Sequence, residues 1–435
     1  MVVDNDFSFG PTLLVGFGPA SIQVAVDLAR RGCERLGFLN RPGAKTRRLR
    51  VALERQRYLS LLGQGQCEAV AGQASIDDFY EDPLQLRDEW QILVLCVPAH
   101  AYREVLESLP WDSLARLQHI LLLSPALGSA LLASQLVRGR REVEIVSLSN
   151  YYAATKYAAA EDPLTAVTKA VKRRIYIAST QRESAFLAGI RDMLANHGID
   201  AVGTQRCLDA ESRNITNYVH PPFFLSDFAL QAVLGGAAEI PKYMYKLYPA
   251  GPITPARIRS MLVLWKEQSR LLERLGIAPL NLLKFLNDDN YPVPETLLGR
   301  DDIEGFCDLD EVRQSYLLYV RYTALLVDPF SRPDRHGYYF DFSAVPFVRA
   351  AKNADGLWTI PRIPLEDYRK LKLTVEMGRR VGVAMPEAAH LLATFERARE
   401  GFLAERGAAA CHSDLGHDEE GEDASIIIQA WRLEA

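Results

Sequence analysis

The sequence is poor in cysteine, and its few cysteines do not form pairs. Six occur in 435 residues: Cys33, Cys67, Cys96, Cys207, Cys307 and Cys411. No two of them have the C-x-x-C spacing of a redox pair or a zinc site, and no group of His, Cys, Asp or Glu has metal-ligand spacing. Thiols scattered in this way are typical of a reducing cytosol. We therefore expect a cytoplasmic protein without a metal centre.

Three further features are missing, and each would indicate a different class of protein. There is no basic excess, since the formal net charge is −5, which argues against nucleic acid as a partner. The first six residues lack the cationic start of a signal peptide. The charge-free residues 120–137 are interrupted by Ser124-Pro125 and Gly128-Ser129, so they predict a strand, a turn and a helix rather than a membrane span. Neither nucleic acid nor a membrane is an expected partner.

The strongest motif is a glycine turn, Gly16-Phe17-Gly18-Pro19-Ala20-Ser21, between an apolar run at residues 12–15 and an apolar helical pattern. Gly16 permits the tight turn, and Gly18 leaves room for a phosphate beside the positive end of the helix. Pro19 is tolerated in a first helical turn, and Ser21 replaces the usual third glycine. The turn and its flanks predict a dinucleotide site at Gly16, Phe17, Gly18, Pro19 and Ala20, in preference to a purely structural turn.

The residues after the second strand indicate which dinucleotide binds. Residues 36–39 are apolar and end at Asn40-Arg41, about twenty residues past the glycines, where an acid would bind the ribose of NAD. This chain has the neutral Asn40 and then a run of cations: Arg41, Lys45, Arg47, Arg48 and Arg50. A phosphate pocket for NADP(H) explains this run better than the alternative, a solvated basic loop. We assign Asn40, Arg41, Lys45 and Arg47 to the site, with Arg41 as the main phosphate ligand.

The order of the predicted elements divides the chain. Apolar strands alternate with helices up to about residue 200, which predicts an α/β, Rossmann-like NADP(H)-binding domain over residues 1–204 with a parallel sheet. Long helical patterns then predict a mainly helical second domain over residues 205–406, and the acidic residues 407–435 predict a flexible tail. Ligands bind beyond the carboxyl ends of parallel strands. Residues 98–100, 124–126 and 150–153 are therefore candidate lining, including Pro98 and Ala153, although each is also compatible with an ordinary turn.

Two motifs in the second region carry possible chemistry. His220 precedes Pro221-Pro222, which predicts a rigid, non-helical backbone around a side chain suited to proton transfer. Arg362 is followed by Glu366-Asp367. The arginine has the geometry to bind a substrate carboxylate, and an acid of this kind can orient a histidine. The alternatives are a capped loop histidine and an ordinary acidic helix start.

Together these motifs resemble the opine dehydrogenases over most of the chain. That family has an N-terminal dinucleotide-binding domain and a helical C-terminal domain with a His-Pro element and a later Arg-x-x-x-Glu-Asp stretch. Here these correspond to His220-Pro221 and residues 362–367. The resemblance is greatest to the metallophore branch, which comprises the staphylopine, pseudopaline and yersinopine dehydrogenases and favours NADPH. It implies that His220 transfers protons, that Asp367 orients it, that Arg362 binds a substrate carboxylate, and that the chain forms a homodimer.

The resemblance also implies the reaction. A histidine-derived aminobutyrate compound would condense with a 2-oxo acid, and NADPH would reduce the resulting imine to an opine metallophore. Ala153 is small and uncharged, which favours 2-oxoglutarate over pyruvate. Two alternatives remain at this point: an NADP-dependent 2-oxo acid reductase that makes a hydroxy acid, and a non-catalytic NADPH-binding sensor.

Overall fold

The computed structural model describes residues 7–139, 142–182, 184–236, 241–325, 341, 343–416 and 418–434. The chain forms two compact units, Met1–Arg213 with Gln429–Ala435, and Asn214–Ile428. The first unit thus extends beyond the expected boundary at residue 204. The reason is Glu211, whose buried carboxylate accepts hydrogen bonds from the Gly128 and Ala130 amides and from the Ser147 hydroxyl of the same unit.

The described part of the first unit contains twelve strands. They are β1 (Thr12–Val15), β2 (Leu36–Leu39), β3 (Tyr58–Gly63), β4 (Gly72–Ser75), β5 (Asp78–Tyr80), β6 (Ile92–Leu95), β7 (His119–Leu122), β8 (Glu144–Leu148), β9 (Ala153–Tyr157), β10 (Thr165–Val171), β11 (Arg174–Ser179) and β12 (Asp200–Gly203). Its helices are α1 (Pro19–Arg30), α2 (Ala44–Arg55), α3 (Tyr102–Ser108), α4 (Ser129–Val137), α5 (Ala185–Ala195) and α6 (Cys207–Ser212).

Eight of these strands form one sheet, in the order β12-β11-β8-β7-β6-β1-β2-β5. Strands β1, β2, β6, β7 and β8 are mutually parallel, as expected from their continuous apolar sequences. The expectation of a wholly parallel sheet was wrong at one point, because β11 runs antiparallel to β8. The strand order reverses beside β1, so the turn after β1 lies at the switch point where such sheets bind ligands.

A second sheet, in the order β4-β3-β10-β9, packs against α1 in the same buried core. The sequence does not indicate this sheet, because its strands are half exposed and short of continuous apolar residues. A buried polar network fastens α1 to its neighbours. The carboxylate of Asp27 accepts hydrogen bonds from Gln23 and from the Tyr152 hydroxyl, and it lies 2.8 Å from His197 Nε2. The Thr168 hydroxyl donates to Gln23.

The second unit is mainly helical. Its helices are α7 (Thr216–Phe224), α8 (Asp227–Leu234), α9 (Pro255–Arg274), α10 (Leu282–Asp288), α11 (Arg300–Glu304), α12 (Glu311–Ala324), α13 (Arg362–Val381), α14 (Pro386–Arg406) and the first part of α15 (Glu420–Glu434), whose residues from Gln429 onward belong to the first unit. A small hairpin joins β13 (Ala351–Lys352) to β14 (Trp358–Thr359). Among the helices described, none is long and apolar enough to cross a membrane.

The acidic residues from 407 onward do not form the expected flexible tail. They contain α15, in which Ala424, Ile427 and Ile428 are buried. Basic side chains of α13 bind this part of the chain. Lys372 pairs with Asp418, just before α15, at 2.6 Å, and Arg380 donates to the Gly421 carbonyl and the Ser425 hydroxyl in the first turns of α15. Composition alone suggested flexibility, but the acidic residues have cationic partners that lie far away in the sequence.

Candidate active site

The glycine turn after β1 has the geometry of a phosphate site. Gly16 has φ +92°, and a Cβ there would lie 2.6 Å from Val97 Cγ1, so both the conformation and the close approach require glycine. A Cβ on Gly18 would meet nothing within 4 Å. This open space lies directly before α1, which begins at Pro19. The Ser21 hydroxyl accepts from the Gly18 amide at 2.9 Å, so it closes the first turn of α1 where a third glycine was expected.

Two residues hold this turn: Asn40, directly after β2, and Lys45, in the first turn of α2. The Asn40 side chain accepts from the Phe17 amide at 3.0 Å and donates to the Thr46 hydroxyl at 2.6 Å. The Lys45 ammonium donates to the Phe17 carbonyl at 2.6 Å. Desolvation and the charge of Arg41 lower the pKa of Lys45. Asn40 is therefore more than a neutral replacement for the acid that binds the ribose of NAD. It also joins the glycine turn to the segment after β2, and a dinucleotide would contact both.

The basic run after β2 is not a loop, since Lys45, Arg47, Arg48 and Arg50 all lie on α2. Two of these cations have other partners: Arg48 donates to the Ala160 carbonyl at 3.3 Å, and Arg50 lies 3.4 Å from Glu81. Arg41 and Arg47 are exposed, at the end of β2 and in the first turn of α2. The residues present thus fit a nucleotide that carries an additional phosphate.

The other candidates of the first unit differ in position. Pro98 is half buried and follows β6. Ala153 is the first residue of β9, where it pairs with Val171 in the four-stranded sheet. Tyr152, within the candidate lining at residues 150–153, is fully buried, and its hydroxyl donates to Asp27 in the core.

In the second unit the structure brings His220 and Asp367 together. His220 Nδ1 lies 2.8 Å from Asp367 Oδ1, and their side chains are 12% and 6% exposed. The hydroxyl of Tyr245 lies 3.4 Å from His220 Nε2, and the Phe224 ring packs 4.7 Å from the imidazole, centre to centre. A carboxylate at Nδ1 fixes the ring and leaves Nε2 to face the reaction partner.

Helix α7 corrects the expectation of a non-helical backbone at His220. The helix passes through Pro221 and Pro222, although proline has no amide hydrogen to donate. The Asn217 carbonyl, which would accept from the amide of residue 221 in a regular helix, accepts from Gln268 Nε2 of α9 at 2.9 Å. A side chain of a neighbouring helix therefore replaces the missing backbone hydrogen bond.

Arg362 begins α13 and is paired within its own helix. Its guanidinium lies 3.0 Å from Glu366, and Lys370 lies 2.7 Å from the other oxygen of the same carboxylate. Although burial opposes ionisation of Glu366, the two cations lower its pKa to about 2. The Arg362 side chain is 69% exposed, so it is accessible to a ligand.

Two neighbours of this site were not assigned to it from the sequence. Glu366 was interpreted only as a helix-start acid, and its pairing with Arg362 follows from the i,i+4 spacing. Tyr245 lies in a segment without a motif, so no sequence signal indicated it. Burial, followed by the charge of Asp367, raises the pKa of Tyr245, while the charge of Arg362 acts in the opposite direction. The described residues contain no group of His, Cys, Asp and Glu able to hold a metal ion.

A glycine turn at the switch point of a parallel sheet, and a His–Asp pair in a helical unit, define a dehydrogenase of the Rossmann-like class. The profile of the staphylopine dehydrogenase family matches residues 10–431, and the chain belongs to that family. It is 49% identical to the pseudopaline synthase of Pseudomonas aeruginosa (strain UCBPP-PA14) over 426 residues, with 98% of each chain covered.

Two further comparisons agree with this family. The chain is 42% identical to the yersinopine synthase of Yersinia pestis over 449 residues, covering 97% of this chain and 98% of the relative. A solved structure of yersinopine dehydrogenase with NADP+ bound superposes with a TM-score of 0.90 at 41% identity, covering 98% of this chain and 99% of the other. The resemblance to the metallophore branch and the Rossmann-like fold are thereby confirmed.

The replacement of a backbone hydrogen bond by Gln268 can be tested by combining two substitutions. We expect Gln268→Leu to lower the free energy of unfolding by about 1–2 kcal/mol, because the Asn217 carbonyl is left without its donor. In a Pro221→Ala background, where residue 221 regains an amide hydrogen, the same substitution should have a clearly smaller effect. Urea unfolding of the four proteins measures both effects, and equal effects in the two backgrounds would contradict this account of α7.

Proposed function

We propose that this protein is an NADPH-dependent opine dehydrogenase that joins an amine to a 2-oxo acid in the synthesis of a metallophore. The observation that carries the proposal is the His220–Asp367 pair, held at 2.8 Å in a chain of the staphylopine dehydrogenase family. An imidazole that is paired with a carboxylate and largely buried is suited to transfer protons during condensation and reduction. A nucleotide-binding sensor would have no use for this pair.

The proposal assigns the NADPH site to the first unit. The open space at Gly18 and the start of α1 would hold the pyrophosphate, and Arg41 with Arg47 would bind the 2′-phosphate. When bound, NADPH supplies the hydride that reduces the imine. NADP+ bound to the related yersinopine dehydrogenase supports this assignment. Asn40 and Lys45 keep the Phe17 peptide in place, so they would act by shaping the turn.

In the second unit, His220 would transfer protons through Nε2. The imidazole takes a proton from the attacking amine and passes it to the oxygen of the oxo acid, which gives a carbinolamine. Nε2 then takes a second proton from solvent and donates it to the same oxygen, so that water leaves and a protonated imine remains for reduction. Asp367 stabilises the imidazolium through Nδ1. Because the pKa of Tyr245 is raised, its hydroxyl stays protonated at neutral pH and can donate to the reacting groups.

We assign the substrate carboxylate to Arg362, whose guanidinium is oriented by Glu366 and remains accessible. The favoured substrates are a histidine-derived aminobutyrate compound and 2-oxoglutarate, with pyruvate as the second oxo acid. The small side chain of Ala153 supports the larger acid. This choice follows the family resemblance and is what the substrate assay decides.

We also propose that the protein is a homodimer and is located in the cytoplasm, as expected from the sequence. All six cysteines are described in the structure, and none of them forms a disulfide. Free thiols, several of them buried, are compatible with a reducing compartment.

The proposed reaction is tested by NADPH oxidation with 2-oxoglutarate or pyruvate, each with and without the aminobutyrate compound. We expect oxidation only when the amine and an oxo acid are both present, and the faster acid identifies the substrate. Oxidation with an oxo acid alone would indicate a 2-oxo acid reductase. NADPH binding without oxidation in any mixture would indicate a sensor.

For His220→Ala, we expect turnover to fall by about two orders of magnitude or more, because the proton-transfer group is lost. NADPH affinity, measured by fluorescence titration, should not change. His412→Ala is the matched control, since His412 also lies near an aspartate, 3.4 Å from Asp414, but outside the site, and it should keep normal turnover. Normal turnover of His220→Ala would overturn the catalytic assignment.

For Arg41→Ala, we expect NADPH affinity to fall about tenfold or more while NADH affinity changes little, because only NADPH carries the phosphate that the guanidinium binds. Fluorescence titration with each nucleotide measures this difference. The control is Arg50→Ala, since Arg50 is already paired with Glu81. Equal losses for NADPH and NADH would contradict the phosphate assignment.

A further inference from the structure

Two buried oxygen atoms behind the His220–Asp367 pair have no hydrogen-bond partner among the described residues. One is Asp367 Oδ2, the carboxylate oxygen that does not contact His220, and the other is Asn217 Oδ1. Both are acceptors, and a buried acceptor without a donor destabilises the folded protein by about 1–3 kcal/mol. Two such atoms beside a proposed catalytic residue therefore require an explanation.

Both residues line the same small cavity between α7, α9 and α13, together with Gln268, Lys370 and Thr374. The cavity has a free volume of about 10 Å³, which is enough for a single water molecule. The polar side chains around it have other partners. Gln268 donates to the Asn217 carbonyl, the Thr374 hydroxyl donates to the Lys370 carbonyl, and the Lys370 ammonium pairs with Glu366.

The chemistry of the cavity defines its ligand. Two acceptors need a small molecule that donates two hydrogen atoms, and a neutral donor is favoured because a cationic residue, Lys370, is part of the cavity lining. Water meets both conditions. Resting on the proposed function, we propose that one water molecule bridges Asp367 Oδ2 and Asn217 Oδ1, and that Asn217 is a positioning residue for the catalytic pair.

The bridge gives each oxygen of the Asp367 carboxylate a fixed partner, His220 on one side and water on the other. The carboxylate then cannot rotate, and a fixed Asp367 holds the His220 ring in position and stabilises the imidazolium. Without the bridge, the carboxylate can rotate, and the ring loses its fixed orientation.

A high-resolution crystal structure of the protein tests the water site without reference to activity. We expect one ordered water within hydrogen-bond distance of Asp367 Oδ2 and Asn217 Oδ1. A dry cavity, a cation in it, or a direct hydrogen bond from a protein group to Asp367 Oδ2 would overturn the proposal.

Asn217→Leu tests the role of the water in solution, because the apolar side chain removes one acceptor and fills the cavity. We expect kcat to fall about tenfold, with KM and NADPH affinity unchanged. An unchanged kcat, or a fall in kcat that is matched by a loss of NADPH affinity, would contradict the positioning role.

Two controls separate this role from general disturbance. Thr374→Val changes the wall of the same cavity without touching either acceptor, and it should keep kcat within about threefold. Asn217→Ser leaves room for an additional water, and it should keep most of the activity. This variant keeps the proposal testable if the leucine variant fails to fold. If the wild-type protein oxidises no NADPH with amine and oxo acid, the proposed function fails, whereas the crystal structure still decides the water site.

Discussion

The second unit depends on one hydrogen bond, between His220 and Asp367, which joins α7 to α13 across 147 residues of sequence. Both helices are built around it. Gln268 supports the proline-containing turn that carries His220, and the Glu366 pair with Arg362 and Lys370 lies one residue before Asp367. The same contact that holds the two helices together thus also fixes the orientation of the imidazole.

In the first unit, too, contacts between distant residues hold a functional element in place, but there the element is the backbone of the glycine turn. Its glycine turn leaves backbone atoms and open space at the switch point of the sheet, and neighbouring side chains hold that backbone in place. Asn40 after β2 and Lys45 on α2 both bind the backbone of Phe17, while Asp27 and Gln23 hold α1 from its buried side. A phosphate site made of backbone groups needs rigid support of this kind, because it has few side chains of its own to adapt.

Features that depend on spacing along the chain were predicted correctly, whereas two features that depend on contacts between distant residues were not. Strand–turn–helix order, the position of Asn40 and the apolar strands gave the fold of the first unit, because each reflects spacing along the chain. The interpretation of His220-Pro221-Pro222 as non-helical was wrong, because a side chain replaces the lost backbone hydrogen bond. That side chain is Gln268, 51 residues from the Asn217 carbonyl to which it donates. The acidic segment was misread for the same reason, since its cationic partners belong to α13.

The sequence by itself determined the Rossmann-like architecture, the place of the dinucleotide turn and the residue types available for proton transfer. Each of these depends on short-range periodicity and on the conformational limits of glycine and proline. Only the tertiary structure decided that Asp367 faces His220, that Tyr245 adjoins the imidazole, that Tyr152 belongs to the core, and that two acceptors share a cavity behind the pair. The physical reason is that hydrogen bonding and burial act between atoms that are close in space, and sequence spacing does not record such proximity.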